Sequence, residues 1–76
     1  MSNLPQLSGD KLVKALKREG WIEKSQKGSH LKLVRSLIPA GKKTIIVPMH
    51  KIIKKGTLNS ILKQANISPE KLKQLL

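Results

Sequence analysis

The chain has no cysteine, tyrosine or phenylalanine, and only one tryptophan. Without cysteine there is no disulfide framework, no thiolate nucleophile and no Cys-based zinc site. Two histidines and four scattered acidic residues make a poor metal cage, so no metal site is expected. The near-absence of aromatic rings removes the stacking platform on which many single-strand RNA binders rest bases, so sequence preference should be weak and binding should rest on phosphate contacts. Apolar runs are short too. None approaches the roughly 20 residues of a membrane-spanning helix, and no basic helix carries a broad aromatic face, so no membrane partner is expected. Met1 to Leu7 is short and polar and lacks a secretion-signal pattern, which points to a cytoplasmic protein.

What is abundant is positive charge. Sixteen Lys and Arg against four Asp and Glu give a net charge of +12 in 76 residues, more than solubility requires, and a polyanion such as nucleic acid is the natural partner. A chain this short buries only about 60% of its unfolded surface, which predicts a thin two-layer core with no room for a deep pocket or a small-molecule cofactor. Residues 1–7 read as a tail and residues 8–76 as one domain.

Ser8 has the position of an N-cap, with Asp10 in the first helical turn. Leu12, Val13, Ala15 and Leu16 form an apolar stripe, Lys11, Lys14, Lys17 and Arg18 a solvated face, and Gly20 ends the helix. Trp21, a core residue, and Ile22 open a strand to about Gln26. Lys27-Gly28 turns the chain into a second strand, giving a hairpin. After the Pro39 and Gly41 loop, Lys42 to Val47 is β-branched enough for a third strand, closed by Pro48. A basic connector from Met49 to Gly56 leads to Thr57, read as the cap of a helix with Leu58, Ile61, Leu62 and Ala65 on one face and Asn66 at its end. Ser68-Pro69-Glu70 opens a short last helix with Leu72, Leu75 and Leu76 on its apolar side. The order α-β-β-β-α plus a small helix predicts an α+β fold: a three-stranded antiparallel sheet with two helices on one face and the other face open. Three strands between the helices argue against a helix-turn-helix DNA binder.

In the second strand, Leu31 and Leu33 fall on one side and His30, Lys32 and Val34 on the other, so His30 points away from the core. Imidazole has a reference pKa of about 6.5, so both protonation states are populated near neutral pH and it suits either proton transfer in metal-free RNA cleavage. In that reaction a base deprotonates a 2′-hydroxyl, which attacks the adjacent phosphorus, and an acid protonates the leaving oxygen. Lys27 and Lys32 are placed to neutralise charge on the phosphate. Arg35 has the weaker claim, since alternation puts it on the Leu33 side. His50, after a proline at a strand end, reads as structural or at most accessory.

Gly28-Ser29-His30, Val47-Pro48-Met49-His50, Lys55-Gly56-Thr57-Leu58 and Ile61-Leu62-Lys63-Gln64-Ala65, in this order and spacing, resemble the HicA family of mRNA interferase toxins from about Leu7 to Ser68. Trp21 fills the aromatic place that often follows the first helix in that family, whereas Leu31 to Val34 lack the aromatic common after the histidine. The resemblance implies a fold like the double-stranded-RNA-binding domain, metal-independent endoribonuclease activity on mRNA as the toxin of a type II toxin–antitoxin pair, and a HicB-type antitoxin covering the active face. The family's catalytic histidine falls on His30. Lys27, Gly28, Ser29 and Lys32 then border the cleaved RNA. Lys54 and Lys55 would hold phosphate at the start of the second long helix. Lys42 and Lys43 either extend that track or guard an edge strand. The alternative is a non-catalytic double-stranded-RNA-binding module with the same basic contacts.

Overall fold

The computed structural model describes residues 4–76, so the first three residues of the expected tail lie outside the described residues. The elements run α1 Gly9–Arg18, β1 Ile22–Lys27, β2 His30–Ser36, β3 Lys42–Pro48, α2 Lys55–Ala65 and α3 Pro69–Leu75. This is the α-β-β-β-α order of the double-stranded-RNA-binding domain with one helix added. None of the described helices is long and apolar enough to cross a membrane.

The helix boundaries have local causes. The Ser8 hydroxyl accepts the Lys11 N–H at 3.2 Å and the Ser68 hydroxyl accepts the Lys71 N–H at 3.0 Å, each satisfying an amide that would otherwise lack a partner in the first turn. Asn66, left-handed at φ 58°, ends α2, as its short polar side chain allows. The start of α2 differs from the expectation built on Thr57. The helix begins three residues earlier, with Lys54 in the cap position and no side-chain cap bond. The cause is tertiary: Ile53 is buried and its N–H donates to the Leu7 carbonyl at 2.8 Å, which fixes the chain before Lys54, and the Leu58 N–H already reaches the Lys54 carbonyl at 2.9 Å. Leu7 itself, read as the end of a tail, is a core residue. Leu76, expected on the apolar side of α3, is 47% exposed.

The sheet is antiparallel in the order β1-β2-β3, with β2 in the centre. Leu31 and Leu33 of β2 and Ile45 and Val47 of β3 are buried, and they share one side of the sheet by alternation. They pack with Leu12 and Leu16 of α1, Leu58 and Leu62 of α2 and Leu72 of α3 in one cluster that includes Trp21. Each such side chain stabilises the fold by about 1.5–3 kcal/mol. α1 and α2 therefore cover one face, with α3 packed against α1, and the residues of the other face are exposed or only partly covered.

Candidate active site

The hairpin that carries the site turns on Gly28 and Ser29, one residue later than the sequence suggested. Gly28 has φ 60° and Ser29 is not among the described residues with positive φ, the pattern of a II′ turn, whose first central position favours glycine. Lys27 pairs with His30 across this turn. The Gln26 side-chain amide donates to the Gly28 carbonyl at 3.0 Å, and the Met49 N–H donates to the Ser29 carbonyl at 2.6 Å. The turn is thus tied to both neighbouring strands.

His30 is the first residue of β2, opposite Lys27 on one side and Pro48 on the other. Its ring is exposed, on the face away from the helices. Lys32 follows on the same face, about 7 Å along the strand, and pairs with Ser25 and Ile46. Ser25, Lys27, His30, Lys32 and Ile46 line an open depression of about 360 Å³. One imidazole and two ammonium groups therefore converge on a half-apolar floor, where a phosphate would meet positive charge and a proton carrier together. Ile46, 44% exposed, belongs to this floor although the sequence reading did not single it out. The run Thr44-Ile45-Ile46-Val47 identifies a strand, but four β-branched residues in a row do not reveal which of them faces outward.

The remaining candidates divide by position. Lys54 and Lys55, both exposed, stand at the start of α2, after the connector that leaves β3 beside the Ser29 turn. The connector that leads to them leaves β3 at Pro48, the residue paired with His30. Lys42 and Lys43 lie apart: they pair with Ser36 and Arg35 at the opposite end of β3, six residues from Pro48, or about 20 Å. There Arg35 and Lys43 line one groove, and Arg35, Glu19, Lys63 and Lys71 a second concavity of about 640 Å³. Volume does not mark the site here, because the larger hollow contains neither imidazole. Glu19 also pairs with Lys71 at 3.2 Å, a surface contact of small energetic weight. No group of three or more His, Cys, Asp or Glu able to hold a metal converges among the described residues.

With the geometry in place, comparison with protein families gives a match to the one described as the HicA toxin of bacterial toxin–antitoxin systems, over residues 9–67. The chain belongs to the HicA toxin family. No curated protein matches the chain. The HicA match spans α1 through the end of α2 and includes the His30 hairpin, the connector and the Lys54 helix start, whereas α3 lies beyond it. Membership carries a toxin role and, in general, an antitoxin partner.

Proposed function

We propose that this HicA-family protein is the toxin of a type II toxin–antitoxin pair that acts in the cytoplasm as an endoribonuclease on mRNA, without a metal ion, with His30 as its acid–base residue. The observation that carries this reading is the placement of an exposed imidazole at the start of the central strand, with Lys27 and Lys32 around the same depression. His30 takes the 2′-hydroxyl proton, the 2′-oxygen attacks phosphorus, and the flanking ammonium groups offset the negative charge that grows on the phosphoryl oxygens. Gly28 and Ser29 bring the backbone close to the RNA. Lys54 and Lys55 hold the strand beyond the cleaved linkage, and Lys42 and Lys43 lie too far along β3 to touch the same phosphate.

Inhibition follows from the same surface. A HicB-type antitoxin with an acidic surface is drawn to the positive face and blocks RNA by covering it. The open face also carries Ile22, 66% exposed, and Ile46, which give a protein partner apolar area that a phosphate backbone does not use.

The test is incubation of the purified protein with labelled mRNA in EDTA. Cleavage supports the ribonuclease reading. Intact RNA together with salt-sensitive, duplex-preferring binding would favour the non-catalytic module instead.

A further inference from the structure

We infer that His50 is a second catalytic residue, the general acid that protonates the leaving 5′-oxygen in the reaction for which His30 is the base; this rests on the ribonuclease reading above. The alternation of β3 continues past its last residue. Ile45 and Val47 are buried, Met49 packs against the core, and His50 is exposed. The Met49 N–H bond to the Ser29 carbonyl, 2.6 Å, keeps the chain paired with the hairpin one residue beyond the Pro48 and His30 pair. β3 ends at Pro48, and the alternation carried two residues further puts His50 on the side of Pro48 and His30. A diagonal pair of this kind lies about 7–8 Å apart, enough for one phosphodiester to sit between two rings. Gly28 has no side chain to intervene, and its surroundings are open, with nothing within 4 Å of where a Cβ would stand.

The His50 backbone is also held in place. Its carbonyl accepts the Gly9 N–H at 2.9 Å. That approach requires a glycine, since a Cβ on residue 9 would stand 2.5 Å from the Pro48 carbonyl oxygen and 2.8 Å from the Met49 Cα. A ring fixed through its backbone and free at its tip suits a positioned proton donor.

Cleavage needs such a donor. As the 2′-oxygen bonds to phosphorus and the bond from phosphorus to the 5′-oxygen breaks, the 2′-proton passes to His30 and the 5′-oxygen takes a proton from His50, leaving a 2′,3′-cyclic phosphate and a 5′-hydroxyl. Lys27 and Lys32 are poorer donors, because an alkylammonium is a weaker acid than an imidazolium. The charged groups that register and sequence place near these residues are Lys27 opposite His30, Lys32 on its strand, Lys51 directly after His50, and Asp10, which follows the Gly9 whose N–H bonds the His50 carbonyl.

The test uses ordinary RNA and RNA in which sulfur replaces the bridging 5′-oxygen at the cut linkage, since a thiolate leaves without protonation. His50→Ala and His50→Gln, each checked for native circular dichroism, should cleave ordinary RNA about 100-fold slower or worse. On the sulfur substrate they should come within a few-fold of the unmodified protein, whereas His30→Ala should be slow on both. The bell-shaped pH–rate profile should lose its alkaline limb in the His50 variants. Undiminished cleavage of ordinary RNA by folded His50 variants, or equal impairment on both substrates, would overturn the assignment and leave the ribonuclease reading standing. Failure of the unmodified protein to cut either RNA would overturn both.

Discussion

The two faces of β2 are made by the same seven residues, yet they are built for different purposes. Leu31 and Leu33 are buried against the helices, while His30 and Lys32 stand open on the other side. The covered face holds the fold together through apolar area, and the open face contributes little to stability, so it is free to concentrate positive charge that a core would not tolerate. One strand thus separates buried apolar side chains from exposed basic ones by a shift of a single residue.

Substitutions on either face sharpen that contrast. The largest effect is expected for Leu33→Ala, which empties a fully buried position and should cost about 2–5 kcal/mol in chemical denaturation. Gly9→Ala comes next. It forces a Cβ against the Pro48 and Met49 backbone and should cost about 1–3 kcal/mol, with slower cleavage because the connector holding His50 is displaced. On the open face, Lys27→Ala and Lys32→Ala should each slow RNA cleavage roughly tenfold or more while changing stability by no more than about 0.5 kcal/mol; a large loss of stability would break the division between faces. The smallest effect belongs to the far end of the sheet. Lys42→Ala with Lys43→Ala should lower RNA affinity by a shallower salt dependence, a slope change of about 1 per lost phosphate contact, and leave the cleavage rate of bound RNA unchanged.

Much of this was legible in the sequence because its causes are local. The alternation of His30 to Val34 assigned both faces of β2, Ser8 and Ser68 marked two helix starts, and Asn66 marked a helix end. What was not legible depended on contacts distant in sequence. Thr57 has the right chemistry for a cap, but Ile53 bonded to Leu7 sets the helix start earlier. Leu7 looks like tail until α2 and the connector close over it. Lys42 and Lys43 resemble the other basic pairs, and only strand register places them about 20 Å from His30. The role of Ile46 likewise needs the register, which sets it opposite Lys32.

The most direct measurement is a side-by-side comparison of the purified protein and His30→Ala for cleavage of labelled mRNA in EDTA, with RNA binding measured by gel shift in the same buffer. The expected result is loss of cleavage by about 100-fold or more with native circular dichroism and RNA affinity retained. Equal cleavage by the folded variant would contradict the assignment of His30 as the proton-transfer residue.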